Sequence, residues 1–219
     1  MGFIVLPALI PDISAVYDVY FAAFKDKAIT RALFPSATVA DLVDAKSEFR
    51  QGHTAHTLEW WKTSLTQYTY KCVDTETNRV IGMSLFDVYV TPSDWKKGEI
   101  SWLEGKERER AESFVMPLWN MREKLWLNER YVYCHVMAVH PDFQKRGIGE
   151  LMFKFGTAIA QQAKLPLYIE SSADGRRLYE KMGCNKLKVK ESLVDDGQEA
   201  PLFVWMPEGA SLPKAVKLA

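Results

Sequence analysis

Three consecutive segments in the second half of the chain have clear hydrophobic patterns. Residues 131–139, YVYCHVMAV, are rich in aromatic and branched apolar side chains, which predicts a strand. Residues 147–163 place apolar side chains at intervals of three and four, which predicts an amphipathic helix. The run LPLYIE at residues 165–170 predicts the next strand. A strand, a helix and a strand in this order predict a right-handed crossover between parallel strands.

Weaker patterns predict the other elements. We expect further helices at about residues 12–24, after Thr38, at 104–129 and at 173–182. We expect further strands at residues 3–6, 67–74, 79–90, 187–193 and 202–206, the last two joined by a turn at 195–198. Pro117 should kink or restart its helix, and Gly183 should end the helix before it. The order of elements predicts an α/β or α+β fold with a mixed sheet, and no repeat or linker interrupts it, so we expect a single domain over residues 1–219.

Charge and cysteine content exclude several kinds of function. The chain has 28 basic and 28 acidic residues, and this balance argues against a nucleic-acid-binding surface. The start MGFIVLPALIPD is apolar for only about ten residues and is interrupted by Pro7 and Pro11, so we expect neither a signal peptide nor a membrane span. Three widely spaced cysteines favour a reducing compartment. We therefore expect a cytoplasmic protein.

The loop HPDFQKR and the two glycines after it carry the clearest chemical signal. Gly147 and Gly149 stand at the start of the predicted helix, where backbone N–H groups have no partner within the helix. Such a helix start binds phosphate oxygens through these donors and the positive end of the helix dipole. Gln144, Lys145 and Arg146 add side-chain donors at the same end. The sequence thus predicts a site for a phosphate or pyrophosphate.

Two strand residues are candidates for proton transfer. Alternation along residues 131–139 places His135 on one face with Tyr131, Tyr133 and Met137, and we expect this face to line a pocket. On the next strand, Glu170 shares a face with Tyr168. Either His135 or Glu170 could deprotonate an amine. Alternatively, His135 is a buried structural histidine, and Glu170 pairs with an arginine or a helix start.

Other candidates carry less weight. His53 and His56 are spaced as a metal pair on a predicted helix, but nothing near them completes a set of four ligands, so we expect no metal. Trp95 and Trp102 lie in an irregular insertion at residues 91–103 and could form a lid over a substrate.

Two motifs together resemble a known family. The segments MAVHP, QKRGIG and LMFKFGTAIA, followed by LYIESSADGRRLYEKMGC, resemble the acetyl-CoA-binding core of the GNAT superfamily of N-acetyltransferases. The resemblance covers about residues 131–190 and is closest to fungal members that act on small molecules. It implies a mixed, mostly antiparallel sheet of about seven strands flanked by helices. It also implies direct transfer of an acetyl group from acetyl-CoA to an amine.

The resemblance assigns roles to individual residues. The backbone of the strand at Met137, Ala138 and Val139 would bind the pantetheine arm, and the hydroxyl of Tyr179 would protonate the departing CoA thiolate. The amides that would hold the pyrophosphate are those of Gln144, Lys145, Arg146, Gly147, Ile148 and Gly149. Ser172 stands where many members have an asparagine, which puts one pantetheine contact in doubt, and Cys184 stands where an aromatic residue is usual.

Two other functions compete with an acetyltransferase. Gly147, Gly149 and Glu170 loosely mimic a dinucleotide-binding motif, which would indicate a nucleotide-dependent oxidoreductase, but Met152 replaces the third glycine. A catalytically silent acetyl-CoA-binding module is the other alternative. For an enzyme, we expect a small-molecule amine as acceptor, bound between residues 91–103, the amino-terminal helices and the strand at Tyr133 and His135. The apolar carboxyl-terminal strands could also pair in a homodimer.

Overall fold

A computed structural model describes residues 2–189, 194–195 and 198–219. The helices are α1 (Ile13–Phe24), α2 (Ala28–Leu33), α3 (Val39–Val43), α4 (Glu48–Thr63), α5 (Gly105–Trp126), α6 (Ile148–Ala163) and α7 (Arg176–Lys181). The strands are β1 (Phe3–Pro7), β2 (Gln67–Asp74), β3 (Arg79–Tyr89), β4 (Tyr131–Val139), β5 (Leu167–Glu170), β6 (Asn185–Lys186), β7 (Val194–Asp195), β8 (Gln198–Glu199) and β9 (Leu202–Trp205).

Seven of the strands form one sheet in the order β1-β2-β3-β4-β5-β9-β6. The pairs β1–β2, β2–β3, β5–β9 and β6–β9 are antiparallel. The short strands β7 and β8 pair with each other. This mostly antiparallel sheet with its helices confirms the predicted fold class.

The chain divides into two compact units. Unit 1 comprises residues 1–87 and 134–155, and unit 2 comprises residues 88–133 and 156–219. The boundaries fall inside β3, β4 and α6, so these elements contribute residues to both units. A single domain over residues 1–219 stays a prediction.

In unit 1, helices pack on both faces of the sheet. Val16 and Val19 of α1 pack with Met83, Leu85 and Ala138 on one face. On the other face α6 approaches β3 closely at Gly82, where a Cβ atom would lie 2.6 Å from Sδ of Met152 and 3.2 Å from Cγ2 of Ile148. The missing side chain of Gly82 therefore allows the first turns of α6 to lie against the sheet.

The core of unit 2 is rich in aromatic side chains. Trp126 of α5 stacks on Tyr131 with ring centroids 4.7 Å apart, and it also contacts Tyr168 at 5.2 Å. Tyr131 and Tyr133 are both buried. The expectation that they line an open pocket is wrong, because the α5 side chains cover this part of β4.

Some helices and strands differ from those predicted. Helix α2 was not predicted, since its six residues are too few to show a period. Helix α5 continues through Pro117 rather than restarting there. Of the strand predicted at 187–193, Leu187 forms a single bridge with Leu218. Residues 190–193 of that strand and residues 196–197 of the predicted turn lie outside the described residues.

Within the described part of the chain, no helix is both long and apolar enough to cross a membrane.

Candidate functional site

The loop between β4 and α6 has the backbone shape of an anion-binding loop. Lys145 and Gly147 both adopt left-handed conformations, with φ of 60° and 81°. A Cβ atom at Gly147 would have no other atom within 4 Å, so this part of the backbone faces open space. Residues 144–147 are exposed. A ligand can therefore approach the main chain here without meeting a side chain.

The start of α6 supplies the hydrogen-bond donors. The amide of Leu151 donates to the carbonyl of Gly147 at 3.0 Å, which closes the first turn. The amides of Ile148 and Gly149 precede this bond, so they have no acceptor one turn earlier in the helix. Ile148 is buried with 1% of its surface exposed, and its packing fixes the first turn. This geometry is compatible with a phosphate or pyrophosphate group, and the predicted site stays a prediction.

The loop side chains take different positions around this backbone. Nε2 of Gln144 donates to the carbonyl of Val139 at 3.2 Å, so the side chain closes the loop onto the end of β4. The guanidinium carbon of Arg146 lies 5.1 Å from the centre of the Phe143 ring, and that of Arg79 lies 5.6 Å from the same ring. Two cations thus converge beside the loop. Sequence reasoning missed Arg79, because its proximity depends on the pairing of β3 with β4.

The part of β4 assigned to pantetheine binding runs through the core of unit 1. The side chains of Met137 and Val139 pack against the cluster that contains Ile148 and Met152. Ala138 is buried in the cluster that contains Val16 of α1. These contacts hold the strand between α6 and α1, and its backbone role toward pantetheine stays a prediction.

His135 lies beside a buried carboxylate. Its Nδ1 atom is 3.5 Å from Oδ2 of Asp87 on the neighbouring strand β3. The Asp87 side chain is 8% exposed, whereas that of His135 is 48% exposed. The alternative of a buried structural histidine is therefore wrong. Asp87 was not singled out from the sequence, because a lone aspartate within a strand pattern carries no signal of its partner.

His135 also lines a cleft of about 220 Å³ in unit 1. The lining residues come from α1, α4 and the sheet, and they are Tyr17, Tyr20, His53, His56, Thr57, Trp60, Gln67, Leu85, His135 and Val136. The amino-terminal helices and His135 thus line one cleft, whereas Tyr133 and residues 91–103, which were also predicted for the acceptor pocket, are not among its lining residues. We call it the acceptor cleft after the prediction, and its role in binding an acceptor stays a prediction.

His53 of α4 packs among aromatic side chains. His53 packs against the rings of Tyr17 and Phe21, with centroids 4.5 and 5.0 Å away. Burial lowers the pKa of His53 to about 4, so the ring is neutral near pH 7. Among the described residues, no group of three His, Cys, Asp or Glu side chains is placed to hold a metal ion.

The predicted lid residues belong to unit 2. Trp95 is partly buried, and the guanidinium carbon of Arg122 lies 4.0 Å from the centre of its ring. Trp102 is exposed. A role for either in covering a substrate stays a prediction.

Glu170 is held by two tyrosines in unit 2. The hydroxyl of Tyr133 donates to Oε2 at 2.9 Å, and the hydroxyl of Tyr168 donates to Oε1 at 3.1 Å. The Tyr133 ring in turn lies under the buried guanidinium of Arg122, whose carbon is 3.7 Å from the ring centre. Both carboxylate oxygens therefore accept a hydrogen bond from a tyrosine hydroxyl.

Tyr179 and Ser172 also belong to unit 2. Tyr179 is 6% exposed, and its ring packs on Phe203 with centroids 6.1 Å apart. The hydroxyl of Ser172 accepts a hydrogen bond from the amide of Gly175 at 3.2 Å, which closes the turn before α7. Gly183 has φ of 77° after α7, as the predicted left-handed end requires.

Comparison with known proteins agrees with these observations. Residues 118–183 match a family model described as an acetyltransferase (GNAT) domain. A curated protein of Ajellomyces capsulatus, named probable acyltransferase SID5, is 32% identical over 123 residues, which are 53% of this chain and 85% of that protein.

Solved structures share the fold at low sequence identity. Mosquito arylalkylamine N-acetyltransferase like 5b has a TM-score of 0.61 at 12% identity, with 94% of this chain and 100% of that chain covered. A GNAT family acetyltransferase from Brucella melitensis, solved in complex with acetyl-CoA, has a TM-score of 0.51 at 13% identity, with coverage of 100% and 95%.

Proposed function

This chain belongs to the GNAT superfamily of acyltransferases, and on that premise we propose that it moves an acetyl group from acetyl-CoA to the amine of a small molecule. The loop between β4 and α6 carries the proposal. Its two left-handed residues, Lys145 and Gly147, lead into the start of α6, and the space beside the backbone at Gly147 is open. These donors and the helix dipole would hold the pyrophosphate of acetyl-CoA.

We assign the removal of the amine proton to His135. Its side chain is half-exposed in the acceptor cleft and stands beside the Asp87 carboxylate. Glu170 is the weaker candidate, because both of its oxygens already accept from tyrosine hydroxyls. An imidazole that lines the cleft can take the proton directly or through one water molecule.

The proposed reaction is a direct displacement. The amine nitrogen attacks the thioester carbonyl carbon, the C–N bond forms and the C–S bond breaks. His135 takes a proton from the nitrogen, and the hydroxyl of Tyr179 gives a proton to the leaving thiolate. The amide of the strand near Met137 would polarise the thioester carbonyl. Binding both substrates together supplies the orientation that the attack needs.

The cysteines support direct transfer rather than an acyl-enzyme. Cys72, Cys134 and Cys184 are all buried. Burial raises the pKa of the Cys72 thiol to about 11 and that of Cys184 to about 12. Thiols with such pKa values are poor nucleophiles near pH 7, since the thiolate is the reactive form.

Ligand binding and thiol release together test the proposal. Calorimetry should show that acetyl-CoA binds and that NAD does not, which separates an acetyltransferase from an oxidoreductase. A thiol-reactive dye should then report CoA release when primary amines are added. Binding of NAD, or no binding of acetyl-CoA at millimolar concentration, would overturn the proposal. Binding of acetyl-CoA without release for any amine would indicate the silent module instead.

A further inference from the structure

Arg79, the first residue of β3, lies beside the loop that follows β4. The amide of His140 donates to the carbonyl of Ile81 at 2.9 Å, which ties the end of β4 to the start of β3. Through this pairing, Nη2 of Arg79 reaches Nε2 of His140 at 2.8 Å. All three residues belong to unit 1. The sheet therefore brings an arginine from a distant part of the chain to the start of the loop.

The contact with His140 holds the Arg79 guanidinium in one place. An arginine can only donate hydrogen bonds, so Nε2 of His140 accepts and the proton of the neutral ring lies on Nδ1. That nitrogen is 3.6 Å from Oδ2 of Asp142, which favours a proton there. Burial and the adjacent Arg79 lower the pKa of His140, so the ring is neutral near pH 7 and Nε2 remains an acceptor.

The ring of Phe143 brings a second cation to the same place. The guanidinium carbons of Arg79 and Arg146 lie 5.6 and 5.1 Å from the centre of this ring. Both arginines are exposed. Phe143 directly precedes Gln144, the first residue of the segment predicted to hold the pyrophosphate. Two exposed cations beside that segment favour the binding of a further anionic group.

The structure describes no carboxylate that forms an ion pair with Arg79. Asp74 is its partner in the pairing of β2 with β3, but the Asp74 carboxylate is buried and stabilises the hairpin turn. Its Oδ1 atom accepts from the amide of Glu76, and Oδ2 accepts from the hydroxyl of Thr77, both at 3.0 Å. A guanidinium has five N–H donors. Arg79 can therefore donate to an anion while it keeps its bond to His140.

We propose that Arg79 binds the 3′-phosphate of acetyl-CoA, and that His140 and Phe143 are positioning residues that hold its guanidinium. This inference rests on the proposed function. Acetyl-CoA carries two anionic groups, the pyrophosphate and the phosphate on its ribose. The amides at the start of α6 would hold the pyrophosphate, and Arg79 would donate charge-assisted hydrogen bonds to the ribose phosphate.

The binding of CoA and of dephospho-CoA, which lacks only the 3′-phosphate, tests the role of Arg79. Calorimetry should show that the wild type binds CoA at least about tenfold more tightly than dephospho-CoA. Arg79→Gln should bring the two Kd values within about threefold of each other and leave the Kd of dephospho-CoA unchanged, which also shows that the variant is folded. Equal Kd values in the wild type, or equal weakening of both ligands in Arg79→Gln, would overturn the inference.

Arg31→Gln is the matched control. Arg31 is also exposed and belongs to unit 1, but it lies on α2 and its guanidinium donates to the carbonyl of Asp26 at 3.0 Å. This variant has the same net charge as Arg79→Gln and should keep the wild-type ratio of the two Kd values. A similar fall in the ratio would assign the effect to net charge and overturn the inference. Failure of both ligands to bind at millimolar concentration would instead overturn the proposed function.

Two variants of His140 test its positioning role. His140→Phe keeps a ring but has no acceptor for Arg79, so the ratio of the Kd values should fall at least about threefold. His140→Gln retains an acceptor oxygen and should keep the ratio closer to the wild-type value. A wild-type ratio in His140→Phe, or an equal fall in both variants, would overturn the positioning role.

Discussion

The carboxylate of Asp87 lies 3.5 Å from Nδ1 of His135. A buried carboxylate at this position favours the tautomer with the proton on Nδ1 and leaves Nε2 as the basic atom. Asp87→Asn should therefore lower kcat/KM by about 10- to 100-fold, while the Kd of acetyl-CoA stays the same. Steady-state kinetics and calorimetry provide the two measurements.

A double-mutant cycle separates this positioning role from a structural one. If Asp87 acts through His135, Asp87→Asn combined with His135→Gln should lose no more activity than His135→Gln alone. Additive losses in the cycle would mean that Asp87 acts independently of His135.

Gly147 provides a test of the phosphate-binding loop. Its φ of 81° is unfavourable for any side chain, and a valine would also fill the open space in front of the backbone. Gly147→Val should weaken acetyl-CoA binding at least about tenfold.

Gly209 offers a control for the backbone strain alone. It has φ of 79° and similar open space, but it lies outside the loop. Gly209→Val should lose stability by a similar amount and bind acetyl-CoA normally. Equal loss of binding in both variants would mean that strain, rather than a blocked phosphate site, causes the effect.

Tyr179 is predicted to protonate the leaving thiolate. Tyr179→Phe keeps the ring contact with Phe203 and removes only the hydroxyl. We expect kcat to fall by about 10- to 1000-fold with little change in the Kd of acetyl-CoA. An unchanged kcat would show that Tyr179 is a packing residue.

The lowered pKa of His53 predicts that the folded protein loses stability in acid. Burial lowers its pKa from 6.5 to about 4 in the folded protein, so between these values the unfolded chain binds a proton that the folded chain does not. The free energy of unfolding should therefore fall as pH decreases from about 6.5 to 4, by at most about 3 kcal/mol from this group.

Urea unfolding at pH 7.5 and 4.5 measures this effect. His53→Phe keeps an aromatic ring in the cluster and should lose less stability than the wild type between these two pH values. Other groups, such as His140 and Asp12, titrate in both proteins and cancel in the difference. Equal acid losses in both proteins would assign the loss to groups other than His53.

The sequence predicted the elements around the loop more accurately than the residues that face the cleft. The strand at 131–139 has the predicted bounds, and α6 begins at Ile148, one residue after the predicted start. Both have long, regular apolar patterns, and glycine marks the helix start. These local signals need no knowledge of distant contacts.

Gln67, Asp87 and Arg122 illustrate what a single sequence leaves out. Gln67 and Asp87 meet only through the register of the β2–β3 hairpin. Arg122 lies in a predicted helix with a charged surface, yet it is 3% exposed and lies against the rings of Trp95 and Tyr133. Such placements depend on tertiary packing, and neither composition nor periodicity reports them.

The absence of a side chain at Gly82 links two positions in the evolution of this protein. A Cβ atom there would meet Sδ of Met152 at 2.6 Å and Cβ of Cys72 at 3.1 Å. Alanine at position 82 would therefore require a shift of the Met152 side chain, or of α6 with the donors at its first turn. Positions 82 and 152 should consequently show epistasis: alanine at position 82 should be better tolerated when residue 152 is smaller than methionine.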